Sequence, residues 1–236
     1  MADFQKKLEN LTKFHHLSKS VKEHLKCVYG TLAIGMALAA AGAYVHIFTA
    51  LLRNGFLTLI ASIACLFALY STPHNRTTEK RRLAYFGGFT FCAGISLGPL
   101  LERLIMIDPS IITTALTGTA MIFICFSLST LYSNKRPSLF LGGLLSSGIS
   151  CLLVVSLANI FFRSNLIFQF ELYVGFGIFC LFVIYDTQMI IYKRENGDDD
   201  YIKHSLDLFI DMIEIFRYLA IILGNKEQGK KKKRDD

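Results

Sequence analysis

Of the 236 residues, 53% are hydrophobic and only 18% are charged, and mean hydropathy is +0.44. A soluble domain needs more polar surface, so the composition excludes an ordinary water-soluble enzyme and indicates a membrane protein. The formal charge of +7 does not point to nucleic acid, because the Lys and Arg residues sit in tails and short loops flanking apolar runs. That arrangement orients membrane proteins.

In chain order, residues 1–27 form a polar segment without the features of a cleavable signal peptide. Six runs then approach the ~20 residues a helix needs to cross ~30 Å of hydrocarbon. They are Val28–Leu52, Phe56–Ser71, Leu83–Leu101, Ile111–Ser133, Leu139–Phe162 and Phe170–Tyr192. The second is short. A seventh run, Ser205–Leu223, is semi-hydrophobic, and a polybasic tail follows over 224–236. The expected fold is an all-α integral membrane protein: one domain over 28–223, with six transmembrane helices plus a seventh that is central or re-entrant.

Loop charges set the expected orientation. Lys6, Lys7, Lys13, Lys19, Lys22 and Lys26 precede the first span; Arg76, Lys80, Arg81 and Arg82 follow the second; Lys135 and Arg136 follow the fourth. The alternate loops hold Arg53, Arg103 and Arg163. A cytosolic N-terminus is expected. Lys230, Lys231, Lys232, Lys233 and Arg234 should then also stay cytosolic, which conflicts with a crossing by the seventh run; both topologies remain open. This tail could bind anionic lipid or partner proteins, or simply retain topology.

Several smaller features have plain readings. Gly94-x-x-x-Gly98 before Pro99, Gly87/Gly88, Gly142/Gly143 and Ala39–Gly42 mark close helix approaches. Cys65, Cys92, Cys125, Cys151 and Cys180 are spread singly through apolar runs and read as small buried hydrophobes. His46 reads as a packed residue. His15, His16, His24, His74 and His204 are scattered and propose no metal site. Glu171 could help a cation enter but reads first as a solvated helix-end residue, and Asp198–Asp200 reads as a solvated turn after Gly197. The sequons at Asn10 and Asn75 fall on the expected cytosolic side, so neither is expected to carry a glycan.

The acids carry the chemistry. Asp186 lies inside the sixth apolar run, and a carboxylate there is costly unless it faces a protein interior or a wet cavity. On the seventh run Asp207, Asp211 and Glu214 fall within about 60° of arc at 100° per residue, with Leu208, Phe209, Met212, Ile215, Phe216 and Leu219 on the other faces. An interfacial helix would present Lys and Arg rather than acids, so the stripe is expected to face Asp186. Two carboxylates a few Å apart cannot both stay ionised without a cation; they share a proton or a metal ion bridges them. Hard oxygen ligands suit Ca²⁺. Proton and Ca²⁺ would then compete for one site, with a transient metal position at Asp186 and Asp211 and no resident cofactor.

Phe182-Val-Ile-Tyr-Asp-Thr-Gln-Met-Ile-Ile191, Gly197-Asp-Asp-Asp-Tyr-Ile202, Leu206-Asp-Leu-Phe-Ile-Asp211 and Ile215-Phe-Arg217 together resemble the C-terminal signature of the Bax inhibitor-1 family, and most of all its eukaryotic founding member. Ala41-Gly-Ala-Tyr-Val-His46, Thr72-Pro-His74, Leu97-Gly-Pro99, Gly118-Thr-Ala-Met-Ile-Phe123 and Phe140-Leu-Gly-Gly143 extend the likeness over nearly the whole chain. The resemblance implies a bundle of six or seven helices around a central last helix, in the endoplasmic-reticulum membrane. It implies a pH-sensitive di-aspartyl gate at Asp186 and Asp211, a Ca²⁺ leak, protection against stress-induced cell death, and contact with Bcl-2-type and ER-stress proteins. Asp207 and Glu214 are added from the helical face alone.

Other readings use the same acids. An intramembrane aspartyl protease needs a Gly-x-Gly-Asp where Phe209-Ile-Asp211 stands, so an enzyme is not expected. A proton-coupled exchanger would be favoured by an inverted repeat, which is not evident. A non-conducting interaction scaffold, alone or as an oligomer, stays open.

Overall fold

The computed structural model describes residues 17–49, 55–132 and 139–235, with the side chains at 139 and 232–235 excluded. Lys6, Lys7, Lys13, Arg53, Lys135 and Arg136, His15 and His16, and the Asn10 sequon lie outside the described residues. Among those described there are seven helices: α1 (Lys19–Phe48), α2 (Gly55–Ser71), α3 (Glu79–Ile107), α4 (Ser110–Tyr132), α5 (Leu139–Phe162), α6 (Asn165–Glu195) and α7 (Tyr201–Asp235). Each overlaps the matching expected run. α1 and α4 stop at Phe48 and Tyr132, short of the expected ends at Leu52 and Ser133, and α2 and α5 match to within a residue. α1, α3, α6 and α7 extend the run at one or both ends by about a turn or more that includes polar residues. Such residues can stay helical in headgroups and water, beyond the reach of a hydropathy argument.

Local chemistry fixes the breaks. The Ser18 hydroxyl accepts from the Val21 N–H at 3.2 Å and caps α1, as N-cap serines do. Asp108 ends α3, and its Oδ1 accepts from Ser110 N–H at 2.8 Å to start α4. The α6–α7 turn needs a left-handed residue, and Gly197 supplies it at φ +94°.

α1, α3, α4, α5 and α6 are long and apolar enough to cross a bilayer, whereas α2 is apolar but has only 17 residues. The exterior is apolar: Phe140, Leu153, Val154, Ile160, Phe161 and Phe162 on α5 are all more than half exposed. Such a surface is untenable in water but matches lipid. The chain is a multi-pass membrane protein.

α7 is the centre of the bundle. It packs against α1, α3, α4 and α6, while α2 leans on α3 and α5 on α6. Ile202, Leu206, Leu208, Phe209, Ile215 and Ala220 are at most 1% exposed, so α7 is no interfacial helix. At one end Arg82 on α3 meets Asp200 at 2.6 Å, and Arg194 on α6 meets Ser20 at 2.7 Å. At the other end Lys231 Nζ donates to the Ile107 carbonyl at 2.5 Å, beside the end of α3. α7 therefore runs the full length of the bundle as a central helix, one of the two alternatives left open by the sequence. The C-terminal residues of α7 stand at the end opposite the start of α1, against the preference of the loop charges.

Lipid tails are as apolar as Leu, so membrane helices associate through close packing rather than by escaping water. The glycines provide that closeness. A Cβ on Gly94 would sit 1.9 Å from Ala39 O, and one on Gly42 would sit 2.2 Å from Phe91 O. The expected tight crossing is thus between α1 and α3. His46 packs there as well, 6% exposed, against the position a Gly98 Cβ would fill.

Gly94→Ala should destabilise the purified protein by about 1–3 kcal/mol, as overpacking does. Gly143→Ala, with open space around it, should be neutral or slightly stabilising; thermal unfolding in one detergent compares them. Tags at the two chain termini should be reachable from opposite faces of oriented vesicles. Labelling of both from one face would contradict the crossing of α7.

Candidate functional site

α6 and α7 pack side by side in opposite directions. Asp186 lies nine residues before the end of α6 and Asp211 ten residues after the start of α7, which is about 14 and 15 Å at 1.5 Å per residue. The two carboxyl groups therefore reach the same level of the bundle. Both line one small cavity beside the α6–α7 seam. Asp211 is 3% exposed, and its Oδ2 is buried with no protein hydrogen-bond partner. Asp207, one turn nearer the start of α7, joins them in lining an open cavity of about 160 Å³ together with Ile149, Phe179, Phe182 and Ile210.

Three of the four expected acids thus share a cavity, and the fourth does not. Glu214 pairs instead with Arg217 at 2.6 Å and lines a larger cavity of about 470 Å³ with Glu171, Ser156 and Tyr218. The two cavities share Ile149 and Phe179 as walls. Glu171 faces this space with a buried, unpartnered Oε1, which corrects its reading as a solvated helix-end residue. Its burial depends on α5 standing off α7, which no local pattern around Glu171 encodes.

The Asp198–Asp200 turn is also more than solvated. Asp200 is 15% exposed in its side chain, accepts from Arg82 Nη2 at 2.6 Å, and lies 3.6 Å from His74 Nδ1. Its Oδ1 accepts from the Lys203 N–H at 3.1 Å and caps α7. Burial alone would raise the Asp200 carboxyl, but the Arg82 guanidinium and the capping N–H outweigh it and hold it below the ordinary value. Arg82 is 3% exposed, so this pair ties α3 to the entry of α7. Tyr201 adds a 2.5 Å bond to Glu79. Spacing of 118 residues hides such a pair from sequence; the signal was a charged residue, Arg82, heading an apolar helix. Of the basic tail, Lys230 pairs with Glu227 at 2.8 Å and Lys231 caps α3. The side chains of Lys232, Lys233 and Arg234 lie outside the described residues.

Because the Asp200 carboxyl is depressed in the folded state, its stabilisation is present above the ordinary value near ~3.9 and fades as pH falls toward the folded one. Asp200→Ala leaves a buried guanidinium without its anion and should lower stability at neutral pH by about 3–5 kcal/mol. The gap to wild type in thermal unfolding should begin to shrink below about pH 4, where the unfolded chain takes up a proton at Asp200 that the folded one still refuses.

The chain is similar to known proteins over nearly its whole length. The family model described as "Inhibitor of apoptosis-promoting Bax1" matches residues 21–228. The chain is 50% identical to "Bax inhibitor 1" of Homo sapiens over 224 residues, covering 95% of this chain and 94% of that protein. It is 50% identical to "Probable Bax inhibitor 1" of Paralichthys olivaceus over 226 residues, covering 96% and 95%. Against "Bax inhibitor 1" of Arabidopsis thaliana it is 43% identical over 219 residues, covering 92% and 87%. With the match spanning every described helix, the chain belongs to the Bax inhibitor-1 family.

Proposed function

We propose that this chain leaks Ca²⁺ across the endoplasmic-reticulum membrane under proton control, with Asp186 and Asp211 as the gate, and that it restrains stress-induced cell death. The observation that carries the gate is that these two acids from α6 and α7 line one cavity, with Asp211 buried. A shared proton lets both carboxyls sit there without a counter-ion, while a divalent cation can replace that proton. Among the described residues no group of three or more His, Cys, Asp or Glu side chains is arranged to hold a metal ion. Ca²⁺ ordinarily takes 6–8 oxygens, so a cation between two carboxylates would keep much of its water and bind weakly. Weak binding suits an ion in passage rather than a resident cofactor. The adjoining cavity with Glu171 and Glu214 gives a polar continuation away from the start of α7, along the α5–α6–α7 boundary, and Asp207 stands on the other side. Conduction would follow this line.

The cell-death role rests on the names of the family and of the relatives, which speak of Bax inhibition. It brings Bcl-2-type and ER-stress proteins forward as partners. A cytosolic N-terminus is adopted from the loop charges. A scaffold that binds such partners without conducting is the second reading, and the same printed names favour it. The two separate cleanly, because the acids matter only to the first.

In proteoliposomes, Asp186→Asn and Asp211→Asn should each flatten the pH dependence of Ca²⁺ flux. Because the groups titrate as a pair, the double variant should fall short of the summed single effects by about 0.5–3 kcal/mol. Unchanged pH profiles from correctly inserted protein would rule out the gate. Protection of stressed cells by the double variant, with flux abolished, would favour the scaffold.

A further inference from the structure

The start of α1 and the start of α7 are joined by two histidines 180 residues apart. His24 Nε2 stands 2.9 Å from His204 Nδ1, the rings meeting edge to face at 78°. His204 is fully buried and His24 is 7% exposed. The other ring nitrogen of His204, Nε2, lies 3.7 Å from Asp198 Oδ2 and has no closer partner. The next residue, Ser205, has its Oγ 3.0 Å from Val28 O, but its one hydrogen is shared with the nearer Tyr201 O at 2.6 Å, so the histidines are the stronger polar tie of α1 to α7 here.

We propose that His24 and His204 form a proton-operated latch between α1 and α7, closed while a single hydrogen lies between the facing nitrogens and open when each nitrogen carries its own. With both rings neutral, His24 Nε2–H donates to His204 Nδ1, and His204 Nε2–H points toward Asp198. One added proton is tolerated: His204 then donates from Nδ1 to His24 and from Nε2 toward Asp198. A second added proton places N–H against N–H, and the contact must part. The surroundings resist that second charge. Arg194 and Lys193 from α6, Arg82 from α3, and His74 with Arg76 from the α2–α3 connection all oppose it. Asp198, Asp199 and Asp200 from the α6–α7 turn, Glu79 from α3 and Glu23 from α1 favour it, though Arg82 and Arg194 already engage Asp200 and Asp199. A cavity of about 530 Å³ beside His24, reached past Cys27 and Tyr201, gives protons a path to the rings.

The latch matters because of its position on α7. His204 precedes Asp207 by one turn and Asp211 by two, so freeing this end releases the register at which the acids are held. The inference itself does not rest on ion conduction.

Hydrogen exchange of the full chain in nanodiscs, corrected for the pH dependence of intrinsic exchange, tests it. Opening takes up at least one proton, so wild-type protection over 19–28 and 201–206 should fall at least about tenfold per pH unit once the latch titrates, scanned from about pH 7.5 to about pH 4 around the ordinary imidazole range. The variant His24→Gln with His204→Gln keeps an amide donor facing an amide acceptor but binds no proton, so its protection should stay flat. Asp186→Asn with Asp211→Asn should keep the wild-type fall, which separates the latch from the carboxylate gate. A flat wild-type profile, or a glutamine pair that loses protection as wild type does, overturns the proposal. Should the glutamine pair not fold, ¹⁵N-histidine spectra of wild type decide. Linked titration of the two rings supports the latch, and two independent simple curves refute it.

Discussion

A carboxylate placed in hydrocarbon must have its charge removed, shared or screened by protein, and α7 carries Asp207, Asp211 and Glu214 on a helix at the middle of the bundle. That requirement organises the rest of the fold. α7 cannot sit at the lipid boundary, so α1, α3, α4 and α6 enclose it. The apolar faces of α7 fill the core with Leu206, Phe209 and Ile215, each at most 1% exposed. The acidic stripe is left toward α6, the one neighbour that brings an acid of its own to the same depth. In a medium that offers no water, pairing like with like is tolerable only because a proton or a cation can join the two groups.

Enclosure depends in turn on helices that can approach each other without a hydrophobic drive. The crossing of α1 and α3 is held at backbone distance by Gly42 and Gly94, where carbonyls occupy the space a side chain would need. α5 has no such seam across most of its length. It touches α6, through Gly142 against Tyr185 and Gly148 against Ile178, and leaves α7 alone. The two cavities that hold Asp186, Asp207, Asp211, Glu171 and Glu214 open along this looser boundary, with Ile149 of α5 walling both. Rigid packing on one side of α7 and loose packing on the other thus coexist in one bundle. These five acids lie on the loose side.

Much of this was readable from residues alone. Hydropathy delimits every apolar span, and the 100° rotation places Asp207 and Asp211 on the face that meets Asp186. Both are local periodicities. Glu214 shares the arc yet turns to Arg217 three residues on, a choice set by side-chain reach rather than by helical angle. What escaped involves partners far apart in the chain. His24 with His204, and Arg82 with Asp200, are contacts that only the packing order of helices creates, and each residue alone looks like loop chemistry. The course of α7 escaped for another reason: loop charge and packing disagreed, and sequence carries no scale on which to weigh them.

The structure supplies that scale. Had α7 turned back after Asp211 to return its tail, Phe216 and Ala220 would leave the cluster they form with Leu97, Leu101, Leu104 and Ile111. The Glu214–Arg217 pair, with Arg217 already half exposed, would lose the α6 residues that line the cavity beside it. Against this stand the basic residues of the tail, each worth on the order of 1 kcal/mol near an anionic surface. Those residues also find compensation at the far end, where Lys231 satisfies the exposed Ile107 carbonyl of α3 and Lys230 pairs with Glu227. A packed core the length of the bundle outweighs a charge preference confined to its last turns. The same full crossing sets the histidines and the acids of α7 on one rigid rod, so a proton taken up at its start bears on carboxyls two turns away.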